Sequence, residues 1–313
     1  MKKIILGALS LSLLVACEEQ NVENDVVAES VRVEAEITSS GSSSTRTSTT
    51  GNAVTFAEGD QIGFYMPEAE ESGFWTLSDG VWVPSTTYVW PDKINSYDFC
   101  AYYPFTVANP RTSISMPDLT AQKGEASELG NYDFLVARCA AKYNTANGVV
   151  SFTEDQAFKH VYSLMSITLK TNADTKDASL TDLSIKANGV VSSHTYHFGQ
   201  TLSEDGMTLS GDPINEFSLS GLNVTIPTDG YNSMYIVNPL DAGENVAITI
   251  KYSRKGELFT ASTQVPAESI KQGSLNKLTI RIKKSGLVVE GNTVEDWSEN
   301  TMDDVEVEEN PNL

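Results

Sequence analysis

The side chains able to do chemistry are few in this sequence. His160, His194 and His197 are the only imidazoles in 313 residues. His194 and His197 stand three apart in a segment that reads as a strand, which puts them on opposite faces and argues against joint metal ligation. His160, within Phe158-Lys159-His160-Val161-Tyr162, opens an apolar run and suits a hydrogen-bonded structural role better than that of a base. Paired acids such as Asp303-Asp304 fall in a charged carboxyl-terminal stretch, where solvent flattens any pKa shift useful for acid/base work. No G-x-S-x-G, H-E-x-x-H, Walker loop or G-x-G-x-x-G occurs. The aromatic cluster Trp75, Trp82, Tyr88 and Trp90 offers flat faces for sugar stacking, but aromatics at alternating strand positions are usually core. The chain is therefore expected not to be an enzyme and to carry no cofactor and no metal.

The amino terminus supplies an address. Lys2 and Lys3 precede an apolar run from Ile4 to Leu14, which is shorter than the ~20 residues a membrane-spanning helix needs and reads as a signal peptide. Its ending, Leu14-Val15-Ala16-Cys17, resembles the lipobox of bacterial lipoproteins, where the cysteine is acylated through its sulfur and becomes the new first residue. Residues 1–16 are thus expected to be removed, and more than one acyl chain at Cys17 to tether the protein to a membrane. Lys plus Arg is 21 and Asp plus Glu 42, a net charge of −21 that falls to −23 without Lys2 and Lys3. Such a chain repels phosphate backbones, so no nucleic-acid partner is expected. Cys100 and Cys139 remain in a compartment that permits disulfides, and a bridge there could contribute roughly 4 kcal/mol. The alternation from Tyr97 to Tyr103 sets Cys100 on the face of Asp98 and Tyr102, which favours two free or partly buried thiols.

The elements that position these residues are strands. After an acidic tether (17–30), Val31, Val33, Ala35 and Ile37 alternate with Arg32, Glu34 and Glu36, the period of a half-buried strand. Residues 38–51 are almost entirely Ser, Thr and Gly, with Arg46 as their one charge and an easy target for a trypsin-like protease. Hairpin punctuation follows at Asp79-Gly80, Asn147-Gly148, Asp205-Gly206 and Lys255-Gly256, and no window of ordinary helix length shows helical periodicity. The pattern predicts an all-β protein of two β-sandwiches, 31–170 and 171–297, the second opening with a polar linker (171–178). Nine acids and no Lys or Arg follow Lys284, so 298–313 reads as an acidic tail.

Several short blocks together resemble the fimbrillin-like lipoproteins, the type V pilins of Bacteroides-type bacteria. They are Phe56-Ala57-Glu58-Gly59-Asp60-Gln61-Ile62-Gly63, Trp90-Pro91, Phe99-x-Ala101-Tyr102-Tyr103-Pro104, Asp133-Phe134-Leu135-x-Ala137, Phe158-x-His160 and Val294-x-Asp296-Trp297. The resemblance implies two transthyretin-like sandwich domains, lipid anchoring in the outer membrane with surface exposure, and a fimbrial subunit acting in cell adhesion. It also implies removal of the first strand (Val31, Val33, Ala35, Ile37) by an Arg-specific protease, for which Arg46 is the candidate site. An extended segment of another subunit would fill the groove so opened. The donor in polymerising members lies near the carboxyl terminus, and the alternating segments there hold Leu287 and Val289, or Val305 and Val307. Implied partners are other pilin subunits and host or bacterial surface receptors. The other reading is a monomeric surface lipoprotein that binds glycan or host protein through aromatic loops.

Overall fold

The computed structural model describes residues 29–38, 55–241, 245–266, 270–284 and 286–297. The expected signal segment, Cys17, Arg46, Val305 and Val307 lie outside them. The chain is all-β. Its first strands are β1 (Arg32–Ala35), β2 (Gln61–Tyr65), β3 (Gly73–Ser78), β4 (Val81–Pro84), β5 (Ser96–Tyr103) and β6 (Ile114–Ser115). They continue with β7 (Leu135–Lys142), β8 (Val149–Phe152), β9 (Lys159–His160) and β10 (Ser163–Lys170). The remainder are β11 (Ser179–Lys186), β12 (His194–His197), β13 (Gly206–Leu209), β14 (Glu216–Leu219) and β15 (Val224–Thr225). The last are β16 (Tyr231–Val237), β17 (Asn245–Arg254), β18 (Glu257–Pro266), β19 (Ser274–Lys283) and β20 (Gly286–Asp296).

Six strands in the order β4-β3-β2-β5-β7-β9 form the first large sheet, and β1 pairs with β8 across a core from it. Asp79 and Gly80 both take positive φ, 52° and 75°, so the hairpin between β3 and β4 is the left-handed two-residue turn that strand twist favours. Lys255 and Gly256 do the same between β17 and β18. Asn147-Gly148 acts differently: it ends a helical turn (Tyr143–Ala146) and delivers β8 to β1, not back to β7. Asp205-Gly206 is no tight turn either, because Asp205 keeps a negative φ and closes a longer excursion from β12.

A second sandwich stacks the sheet β16-β10-β19-β20 against β14-β11-β17-β18, with β15 added to β11. Strand β10, expected to end the first unit, is hydrogen-bonded on both edges to strands of the second half, antiparallel to β16 and parallel to β19. A third small sheet, β13-β12-β6, joins a strand of the first half to two of the second. The main core likewise draws on both halves, since Tyr65, Cys100, Tyr102, Ile114, Phe134 and Val136 pack with residues of the second sandwich. Cys100 and Cys139 are both free thiols and both buried, on opposite faces of their sheet, Cys100 in the main core and Cys139 in the core under β1. Burial pushes the Cys100 thiol up to about 12.

One buried cation pins the junction. Arg138 on β7 donates to Asp205 Oδ1 at 2.7 Å, to Asp98 Oδ2 at 3.0 Å and to the Gln200 carbonyl at 2.9 Å. The side chains of Arg138 and Asp205 are 8% and 5% exposed, so both charges have left bulk water. Burial raises the Asp205 carboxyl pKa although Arg138 and the Gly199 amide pull it down. Replacing Arg138 by Leu strands that carboxylate, and the expected loss is about 3–5 kcal/mol in urea unfolding at neutral pH. A raised native pKa means that the folded state takes up the proton first, so the gap between Arg138→Leu and wild type should narrow as pH falls through the acid range. A gap independent of pH would show that Asp205 is not the group left uncompensated.

Candidate functional site

The alternation read in residues 31–37 becomes a buried and an exposed face. Val31, Val33 and Ile37 are buried in the core beneath the six-stranded sheet, while Arg32, Glu34 and Glu36 face solvent. Each buried aliphatic side chain contributes about 1.5–3 kcal/mol by leaving water. The backbone is held by a succession of different neighbours. Trp90 N donates to the Glu29 carbonyl and Val31 N to that of Tyr88 (3.0 and 2.8 Å). The parallel ladder with β8 then runs from Arg32↔Val149 to Ala35↔Phe152. Beyond it Phe158 N donates to Glu36 O at 2.8 Å, and Thr38 N to Phe158 O at 2.8 Å. Two polar contacts fasten the near end, Lys93 to Glu29 at 3.3 Å and the Arg32 guanidinium to the Asn147 carbonyl.

Aromatic rings wall this seat. Phe56 meets Trp82, Tyr103 and Phe158 edge-on at centroid distances of 5.1, 5.5 and 5.1 Å. Trp90 packs on Phe99 at 5.1 Å, and its indole N–H donates to the Gly148 carbonyl at 3.2 Å. Trp75, Trp82 and Trp90 are all buried, so the cluster weighed as a sugar platform is the lining of this core.

Two residues past Phe158 the same segment meets the far end of the chain. His160 is 4% exposed, with Nδ1 2.9 Å from Asp133 Oδ2. Its ring lies flat on Trp297, 3.9 Å between centroids and 12° between planes. Trp297 is itself buried, and its backbone N–H donates to Gly273 O at 2.7 Å. Asp133, His160 and Trp297 come from three of the short sequence blocks, and only the fold shows that they converge on one point. The nearest sequence signal is that all three residues belong to the short blocks that carry the family resemblance.

The other candidates separate. His194 and His197 sit at the two ends of β12, and His194 Nδ1 lies 3.0 Å from Ser192 O. Among the described residues no group of three or more His, Cys, Asp or Glu is placed to hold a metal ion, and no helix is long and apolar enough to cross a membrane. Leu287 and Val289 belong to β20, opposite Ile282 and Ile280 of β19, and pack on the main core. An open cleft of about 590 Å³ lies beside Arg138, Tyr196, Gln200 and Asp205, where Arg138 is already paired with Asp98 and Asp205.

Comparison with known proteins shows what the chain is similar to. The model of a family described as fimbrillin-like matches residues 45–297. A candidate cell adhesion protein from Bacteroides uniformis shares 24% identity, over 85% of this chain and 99% of that one, with a TM-score of 0.56. A second, from Bacteroides ovatus, shares 16% identity over 86% and 98% of the two chains, with a TM-score of 0.57. Both likenesses are of fold. No curated protein matches.

The seat makes a quantitative demand on its strand. Ile37→Ala removes a buried side chain and is expected to cost about 2–5 kcal/mol, whereas exposed Glu34→Ala should stay within about 0.5 kcal/mol. Urea midpoints of the two variants, compared with wild type, check the difference. Equal and negligible effects would mean that the strand is not held as described.

Proposed function

The chain belongs to the fimbrillin-like family, and from that premise we propose that it is a surface-exposed fimbrial protein, a structural or accessory subunit acting in cell adhesion. The observation that carries this reading is the seating of β1. Its apolar side chains complete a core, yet its regular pairing is a four-residue ladder to β8, and the chain between it and the rest of the fold is the Ser/Thr/Gly segment that holds Arg46. In this reading Cys17 carries a lipid anchor in the outer membrane, and cleavage at Arg46 frees the segment bearing Val31, Val33, Ala35 and Ile37. Loss of that segment leaves unpaired backbone along β8 and at Phe158 beside an apolar slot. An extended segment from another subunit would repair both. Such a contact is heterologous and head-to-tail, so it builds an open filament.

The donor assignment follows from what is already occupied. Leu287 and Val289 are engaged in β20, so using them would dismantle a sheet edge. The segment holding Val305 and Val307 follows the last described residue and is the better placed donor. The role is structural, with other pilin subunits as partners and a surface receptor as the adhesion target. Reading the protein as a sugar binder through exposed aromatics has little support, because the tryptophans it would use are core.

The test is a gel of the signal-free chain, unheated, before and after limited trypsin, with the new amino terminus sequenced. Detergent-resistant ladders that appear only after cleavage at Arg46, and vanish in Arg46→Ala, are expected. Clean cleavage at Arg46 that leaves monomers would sink self-polymerisation.

A further inference from the structure

A strand at the end of a sheet exposes a row of unpaired N–H and C=O groups, and folded proteins blunt such edges by shortness, charge, proline, bulges or cover. Nearly every sheet edge described here is blunted. Strands β6 and β9 have two residues, β13 and β14 have four, and β4 has four and ends in Pro84. The edge of β16 is covered, since Met234 N donates to Gly124 O and Ile236 N to Gln122 Oε1. Strand β20 is long, but it carries Glu290 and Glu295 and is broken by a register shift.

Strand β18 carries such devices only at its two ends. It spans ten residues, Glu257–Pro266, with one charge at its start and a proline only at its end. Its ladder to β17 runs without a register shift. Among the described residues no strand pairs with its outer edge. Its inward side chains Phe259, Ala261 and Thr263 are only half-buried, whereas Val246, Ile248, Ile250 and Tyr252 on the neighbouring β17 are buried. Leu258, on the other face, is 77% exposed. Among the described residues, β20 of the facing sheet runs close to β18 on this side but is not hydrogen-bonded to it.

We propose that β18 is a lateral pairing site for a second copy of this chain, the two β18 strands running antiparallel across a two-fold axis so that their sheets become one. Charge favours this occupant. The chain carries −21 overall and copies repel, but β18 is neutral beyond Glu257, so strand can meet strand there. The turn end of the β17–β18 hairpin carries Arg254 and Lys255 with Glu257, a net positive charge, while Asp241 precedes its other end. Antiparallel pairing lays each basic end beside the partner's acidic end, and parallel pairing would set like against like. The contact is isologous and closes as a dimer. It is separate from the seat of β1 and needs no cleavage, so it does not rest on the head-to-tail reading.

The test uses the uncleaved, signal-free chain in sedimentation velocity from about 1 to 300 μM, a range that brackets weak association. A reversible dimer is expected, with amide exchange of residues 258–265 slowing as concentration rises. Ser262→Lys places like charges near the two-fold axis from an exposed position and should abolish the dimer, whereas Ser262→Ala, which loses the same hydrogen bond to Thr249, should keep it. Ending the chain at residue 297 should leave the dimer unchanged. A wild-type monomer at every concentration would overturn the proposal, as would a dimer that survives Ser262→Lys. A dimer that appears only once residues 298–313 are removed would also overturn it, by making the acidic tail the occupant of the edge.

Discussion

The fold depends on one sheet being buried on both faces. In β5, Phe99, Ala101 and Tyr103 enter the core under β1, while Cys100 and Tyr102 enter the main core. Strand β2 divides likewise, with Ile62 and Phe64 on one side and Tyr65 on the other, and β7 sends Leu135, Ala137, Cys139 and Ala141 one way and Val136 the other. Because side chains alternate strictly, a slip of one residue would exchange the contents of both cores. This makes the register of the central strands the common reference for the seat of β1 and for the second sandwich. Gly63 shows how tight the constraint is. A Cβ there would lie 2.0 Å from the Tyr102 ring, so the ring can cross the sheet only over a glycine.

The blocks that carry the family resemblance acquire physical reasons in this frame. Asp60 accepts the Ala57 N–H at 2.8 Å and the Tyr103 hydroxyl at 3.3 Å, which ties the Gly59-Asp60 turn to the end of β5. Trp90 is hydrogen-bonded to the turn before β8 through its indole and to Glu29 through its backbone. Asp133 and Trp297 hold His160 from its edge and its face. Each of these residues fixes a segment that borders the first strand or the junction of the two cores.

The all-β class, the strand at Val31 to Ile37 and the turns at Asp79-Gly80 and Lys255-Gly256 were legible because alternation and left-handed turn residues are local signals. What was not legible depends on partners far along the chain. The run from Tyr97 to Tyr103 reads as half-buried because Asp98 and Cys100 look like a wet face, but that face meets the second core and Asp98 reaches Arg138. The polar residues 171–178 look like a boundary, yet nothing in residues 163–170 reveals that their hydrogen-bond partners are 231–237 and 274–283. Asn147-Gly148 signals a reversal correctly and cannot say that the strand after it joins β1. The seat was half visible for the same reason: the strand that fills it announces itself, while its walls are assembled from residues 56 to 158.

A strand can be exchanged only if the slot outlives its first occupant, and the walls here have supports of their own. Trp90 is pinned to Gly148 and packed on Phe99, Phe152 rests on Phe64 and Phe158, and Phe158 is gripped by Phe56. Two residues on, His160 is clamped between Asp133 and Trp297, which fixes the segment whose backbone pairs with Glu36 and Thr38. Those contacts do not include β1. Removing it would cost the burial of three aliphatic side chains and one set of hydrogen bonds, among them the one ladder that β8 makes among the described residues. In the proposed exchange an incoming strand must therefore restore that ladder as well as fill the slot.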